Sequence, residues 1–141
     1  MTQTLLIADG DSELCDLYRQ FLTQHGYEVE TTSDGLDCLR KLRQVKPAAL
    51  VLDLELLWGG GDGVLDWIRK ESPSHAIPII LTAGYPQMLA GFSKPPVMSY
   101  LPKPFALTAL LESIGSAISR QGRRETGNLH RIPAHAELFI G

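Results

Sequence analysis

Ala48-Ala49-Leu50-Val51-Leu52-Asp53 is an uninterrupted apolar run that follows a break at Pro47 and closes on a single carboxylate. A run of strand length without alternation predicts a strand buried on both faces, as in a parallel sheet covered by helices on each side. Three more runs have a similar shape: Leu5-Leu6-Ile7-Ala8-Asp9, Ile79-Ile80-Leu81-Thr82 and Tyr100-Leu101-Pro102-Lys103. Each ends in a polar residue. In a parallel sheet the C-terminal strand ends lie along one edge, beside the crevice where such folds bind ligands. Two carboxylates, a hydroxyl and an ammonium are therefore expected to share one site.

Helical periods separate these runs. Asp11-Ser12-Glu13 reads as a helix start, and Leu14, Leu17, Tyr18, Phe21 and Leu22 recur at spacings of three and four. Gly26 falls where a C-terminal cap belongs, and Tyr27-Glu28-Val29-Glu30-Thr31 alternates as a half-buried strand does. Ser33-Asp34 opens a second helix with a stripe of Leu36, Leu39 and Leu42. A third is expected from Asp62 or Gly63 through Lys70, with Val64, Leu65, Trp67 and Ile68 inward. The stretch 83–96 holds three prolines and two glycines, so a fourth helix is expected to be short and confined near Gln87 to Ser93. Val97 to Leu101 reads as the fifth strand, and Leu107, Leu110, Leu111, Ile114 and Ile118 mark the last helix. Strands alternating with helices predict a doubly wound α/β domain over residues 1–119. Residues 120–141 show no sustained period and read as a tail or linker, with Leu138-Phe139-Ile140 as a docking segment.

Composition narrows the function classes. At 141 residues, 44% hydrophobic and 21% charged, the chain suits one globular domain. No run approaches the roughly 20 apolar residues of a membrane span, and no basic segment precedes the first apolar run. A cytoplasmic location without membrane contact is expected. Cys15 and Cys38 stand alone inside helical patterns and read as buried free thiols, while His25, His75, His130 and His135 form no ligand motif. Residues 1–119 carry 9 Lys and Arg against 14 Asp and Glu, so the folded part is acidic and offers no footprint for direct nucleic-acid binding.

Asp, Asp, Thr and Lys at four strand ends suit phosphoryl transfer onto a carboxylate. Asp53 would attack phosphorus, acidic groups would hold a divalent cation, and Thr82 and Lys103 would bind phosphoryl oxygens. Ile7-Ala8-Asp9, Leu52-Asp53-Leu54, Leu81-Thr82-Ala83 and Tyr100-Leu101-Pro102-Lys103-Pro104-Phe105 resemble the motifs of response-regulator receiver domains of two-component signalling, in order and nearly in spacing. The resemblance covers about residues 4–119. It implies a CheY-like, flavodoxin-like (βα)5 fold with strand order 2-1-3-4-5, Asp53 as phosphoacceptor, and Asp9 in the acidic pocket. Thr82 becomes the switch hydroxyl, Lys103 the phosphate-binding lysine and Tyr100 the switch aromatic, and Lys103-Pro104 matches a bond that is cis in the family. Small Ala83 leaves phosphate a path to Asp53. The implied partners are a histidine kinase or phosphotransfer protein and a downstream protein. The downstream protein would bind the face of the fourth helix, fifth strand and fifth helix, which is also the family's homodimer surface. The chain is expected to act as a switch and not as a turnover enzyme.

Two departures bear on that reading. Gly10 stands where the family has a second acid that ligates Mg²⁺ directly, leaving Asp9, Asp53 and Glu55 as the metal set, Glu55 through carboxylate or backbone carbonyl. Asp11 is the other nearby acid, and it reads as a helix cap. Leu57 replaces a customary proline, and Trp58-Gly59-Gly60-Gly61 is expected to lengthen the loop by about two residues. Those departures motivate a second reading, a receiver-like interaction module that takes no phosphate. Asp53-Leu54-Glu55 also suggests aspartate-nucleophile phosphatases, but those need the acid pair near the first strand and a larger body over the substrate.

Overall fold

A computed structural model describes residues 2–56, 60–71, 77–89, 91 and 96–129, with 123–129 in backbone only. β1 (Thr4–Ala8), β2 (Glu28–Thr32), β3 (Ala49–Asp53), β4 (Ile79–Ala83) and β5 (Val97–Pro102) form one parallel sheet in the order β2-β1-β3-β4-β5. Between and after them run α1 (Ser12–Gln24), α2 (Gly35–Val45), α3 (Gly60–Glu71) and α4 (Leu107–Leu129). This is the doubly wound parallel sheet that the run pattern predicts, in the flavodoxin-like strand order that the resemblance implies. Every residue of β3 and β4 is buried, which is why these runs carry no polar alternation. β2 lies at the sheet edge, and there the alternation survives.

Successive strand residues point to opposite faces, so the sheet divides the core in two. Leu50 and Leu52 of β3 pack with the side covered by α2 and α3, where Cys38, Leu42, Val64, Leu65 and Ile68 are buried. Ala49 and Val51 pack with the other side, against Cys15, Tyr18 and Leu22 of α1 and Leu110 and Ile114 of α4. Two expected core positions are corrected: Leu17 and Leu36 are 46% and 66% exposed. The stripes actually buried run through Cys15, Tyr18 and Leu22, and through Cys38 and Leu42. A cysteine in these places behaves as a small hydrophobe against the sheet. Burial pushes the Cys15 thiol up to about 11 and the Cys38 thiol to about 12, so both stay protonated and inert at neutral pH.

Three boundaries differ from expectation. α3 begins at Gly60, two to three residues early, which absorbs the expected lengthening of the loop; Leu57, Trp58 and Gly59 lie outside the described residues. The short fourth helix is a single 3-10 turn over Pro86–Leu89, and its expected remainder beyond Gly91 lies outside the described residues. α4 continues to Leu129, well past Ile118, so 120–129 is helical where no period was read. Polar residues extend that helix without an apolar stripe to announce it, and Arg120 Nη2 donates to the Met98 carbonyl at 3.3 Å. The segment 138–140 lies outside the described residues.

Gly61 joins α3 to the functional edge. A Cβ there would stand 2.5 Å from the Asp53 carbonyl oxygen and 2.6 Å from Leu54 Cα, both backbone atoms that cannot turn aside. Gly61→Ala is therefore expected to cost about 1–3 kcal/mol, the usual range for overpacking. Gly63, in the same helix, has no atom within 4 Å of such a Cβ. Gly63→Ala should instead hold or raise stability, by up to roughly 1 kcal/mol from helix propensity. Paired urea unfolding curves measure both; equal shifts would refute the close-approach argument.

Candidate functional site

The sheet's hydrogen bonding runs one step past the strands at their C-terminal ends. Asp9 N–H donates to the Thr32 carbonyl at 3.0 Å, Leu54 N–H to the Thr82 carbonyl at 3.0 Å, and Lys103 N–H to the Ala83 carbonyl at 2.8 Å. Side chains at this edge are thus carried on a fixed backbone. Asp53 and Thr82 are register partners on β3 and β4, which puts them side by side, and with Asp9 they are buried to within 4% of full.

Lys103 closes the arrangement. Its Nζ donates to Asp9 Oδ2 at 2.7 Å and to Asp53 Oδ2 at 3.0 Å. The remaining oxygens are also engaged: Asp9 Oδ1 accepts from Asp11 N–H at 2.9 Å, and Asp53 Oδ1 from Glu55 N–H at 3.0 Å. Two buried carboxylates and one ammonium are therefore held in defined rotamers, with charge-assisted bonds on each. The structure brings Asp9, Asp53, Thr82 and Lys103 together, with buried Ala83 beside them. Tyr100 is set apart on β5, level with Leu81 and 37% exposed. The Lys103-Pro104 bond is cis, as the resemblance implies.

Burial raises the Asp9 pKa above the usual carboxylate value; the Lys103 and Asp11 hydrogen bonds oppose it and the Asp53 charge adds to it. Burial acts against the Lys103 ammonium, yet the bonds and charges of Asp9 and Asp53 outweigh it and raise its pKa. An Asp with a raised folded pKa binds its proton more readily folded than unfolded, so its contribution to stability declines as pH rises through that pKa. Asp9→Asn should accordingly stabilise the protein near pH 7.5 by about 1 kcal/mol, a common gain when an unfavourable functional charge is removed. Denaturant midpoints at pH 5 and 7.5 check this. The gain should shrink at pH 5, and a destabilised variant at pH 7.5 would contradict it.

The donor set for a cation is small. Asp11 caps α1, its Oδ1 accepting from Glu13 N–H and Leu14 N–H at 3.0 and 3.2 Å. Glu55 is exposed and its carboxylate lies over Gly84, where a Cβ would stand 3.3 Å from Oε2. Among the described residues no group of three or more His, Cys, Asp or Glu side chains is placed to hold a metal. Asp9 and Asp53 remain as an adjacent oxygen pair. Mg²⁺ is commonly held by one or two carboxylates with water completing its shell, so the residues fit it in minimal form. Tyr18, read from the sequence only as a core residue, is 4% exposed on α1, and burial pushes its phenol up to about 12, with the Lys103 charge opposing and the Asp9 and Asp53 charges adding. A phenol on the buried face of α1, between Cys15 and Leu22, was its one signal.

Comparison with known proteins agrees with the fold. The family model described as response regulator receiver domain matches residues 5–115. The chain is 33% identical over 122 residues to response regulator MprA of Mycobacterium ulcerans, a match covering 85% of this chain and 52% of that one. It is 27% identical over 131 residues to transcriptional regulatory protein PrrA of Mycobacterium leprae, covering 91% and 55%. The chain thus spans about half the length of these curated relatives. Among solved structures, a CheY-like receiver domain protein from Methanospirillum hungatei superposes with TM-score 0.75 at 25% identity, covering 88% of this chain and 99% of that one. NtrX from Brucella abortus superposes with TM-score 0.79 at 24% identity, covering 92% and 30%, and shares the fold. Among the described residues no helix is long and apolar enough to cross a membrane.

Proposed function

We propose that Asp53 takes a phosphoryl group, from the premise that this chain belongs to the response-regulator receiver family. The observation that carries the proposal is the Lys103 ammonium, shared between Asp9 and Asp53 at 2.7 and 3.0 Å. A cation so placed meets the charge that develops when a phosphoryl group joins the carboxylate. An Asp53 oxygen attacks phosphorus, the new O–P bond forms as the bond to the donor breaks, and the bonding pair leaves with the donor. For a histidine kinase or phosphotransfer protein the donor is a phosphoimidazole, whose nitrogen keeps that pair and takes up a proton. Lys103 then moves its hydrogen bonds onto a phosphoryl oxygen. Thr82, beside Asp53 in the register, offers its hydroxyl to another, and Ala83 leaves room for the group to enter.

Asp9 and Asp53, with the carboxylate or carbonyl of Glu55, would hold Mg²⁺, which would supply further charge neutralisation. The phosphorylated state differs from the free state in the position of Thr82, and through it in Tyr100 on β5. That difference alters a partner-binding face made by the Pro86–Leu89 turn, β5 and α4. This face is where we place the downstream protein and a homodimer contact. Residues 1–119 form the phosphoacceptor unit in this reading, and 120–141, which begin within α4, its extension or linker.

The test is direct. Purified protein incubated with a small acyl phosphate and Mg²⁺ should gain the mass of one phosphoryl group on the peptide containing Asp53, and chelation of Mg²⁺ should suppress it. No adduct with any donor would overturn the proposal and leave a receiver-like interaction module.

A further inference from the structure

We infer that Tyr18 is a positioning residue for Lys103: its ring, stacked on Phe105, fixes the segment that carries the ammonium against Asp9 and Asp53. The inference rests on the phosphoacceptor reading and names a residue that the family motifs quoted above do not include. Tyr18 and Phe105 ring centroids are 5.8 Å apart with planes 17° from parallel. Tyr18 is 4% exposed on α1, the helix that begins just after Asp9.

The segment leading from β5 into α4 has few other anchors. Pro102, Pro104 and Ala106 face solvent, while Lys103 and Phe105 turn partly inward. Lys103 N–H is tied to the Ala83 carbonyl at 2.8 Å, which fixes the backbone on the β4 side. Two residues on, Phe105 is the apolar side chain of this segment that packs inward, and it packs with the cluster containing Tyr18. The ammonium is thus held between a backbone bond to β4 and an aromatic contact to α1. Asp9 lies three residues before α1, and its Oδ1 accepts from the N–H of Asp11, the cap of that helix, so the helix that carries Tyr18 is tied to one of the two carboxylates that Lys103 reaches. The Tyr18–Phe105 stack therefore sets the Lys103 ammonium against Asp9 from α1, alongside the backbone bond to the sheet. A flat ring is required, and an aliphatic side chain of similar volume does not hold the offset stack.

The test compares Tyr18→Leu, Tyr18→Phe and Phe105→Leu, each in the natural chain and with Lys103→Met. Phosphorylation by a small acyl phosphate with Mg²⁺ should slow by roughly tenfold in Tyr18→Leu and Phe105→Leu, a modest displacement of a transition-state contact. Tyr18→Phe keeps the ring and should stay within about twofold of the natural chain. With Lys103→Met present, Tyr18→Leu should slow the reaction no further, while its effect on unfolding persists. Equal slowing in both backgrounds, or no slowing in either, overturns the proposal. The hydrogen-exchange rate of the Lys103 ammonium, followed by NMR, needs no phosphate. It should rise in Tyr18→Leu and Phe105→Leu, and an unchanged rate in both overturns the proposal even if the natural chain takes no phosphoryl group.

Discussion

Lys103→Met is expected to lower stability at pH 7.5 by about 3 kcal/mol, the lower end of the cost of leaving buried charge uncompensated. The lower end applies because the Lys103 side chain keeps 19% of its exposure while Asp9 and Asp53 keep 4% and 6%. Methionine retains the stem and its packing, so the loss isolates the ammonium. Two facing carboxylates then remain, with Asp11 N–H and Glu55 N–H as their fixed donors among the described residues.

The pH dependence of that loss has a definite sign. Lys103 has a raised pKa, so its stabilising charge is fully present below the ordinary lysine value and is lost only as pH climbs past it. Between pH 5 and pH 8 it stays protonated. Asp9 is the group that moves: burial already raises its pKa, and removing the Lys103 bond and charge removes two of the influences that lower it. Protonation of Asp9 then relieves the variant as pH falls. The deficit should be largest near pH 7.5 and shrink toward pH 5, as measured by urea midpoints at several pH values. A deficit independent of pH would mean that packing of the stem, and not charge, had been lost. Phosphoryl uptake at Asp53 should fall by about a hundredfold or more in the same variant, as when one preorganised transition-state contact is removed.

How much of this was legible beforehand follows from where the burial lies. β3 and β4 are buried on both faces, so their runs stand out, and each carries its functional residue at or near its end. Strand order followed from the family motifs, since a run of apolar residues does not state its neighbours. On the helices the signal was looser. Leu17 and Leu36 lie on stripes adjacent to the buried ones, because spacings of three and four fit neighbouring faces nearly as well. Cys15 and Cys38 filled the true stripes without looking hydrophobic in a count of leucines. The start of α3 was hidden by consecutive glycines, which read as loop, although Gly61 is required by contact with the Asp53–Leu54 backbone. At the site, the types Asp9, Asp53, Thr82 and Lys103 were readable from strand ends. The sharing of one ammonium between two acids was not, since it depends on the path of the segment after β5.

Gly10→Asp is the second large effect, and it tests whether the one missing acid sets cation affinity. A Cβ at Gly10 would meet the Ser33 carbonyl oxygen at 3.7 Å, ordinary contact, and the residue is absent from the glycines with positive φ. The backbone therefore admits a side chain without strain. An added carboxylate beside Asp9 brings a third acidic side chain to a site where, among the described residues, no group of three is now placed for a metal. For a hard cation, affinity follows ligand charge and number, so Mg²⁺ should bind about 10–100-fold more tightly by calorimetric titration. The same charge has a cost without the cation, since a further acid beside Asp9 pushes its pKa higher and lowers stability near pH 7.5. Mg²⁺ should then raise the unfolding midpoint of the variant more than that of the natural chain, in proportion to the affinity gained. Unchanged affinity with reduced stability would mean that Gly10 is not where the cation's missing ligand belongs. Gained affinity with faster phosphoryl uptake at low Mg²⁺ would identify Gly10 as the residue that weakens cation binding while leaving the pairing of Asp9, Asp53 and Lys103 in place.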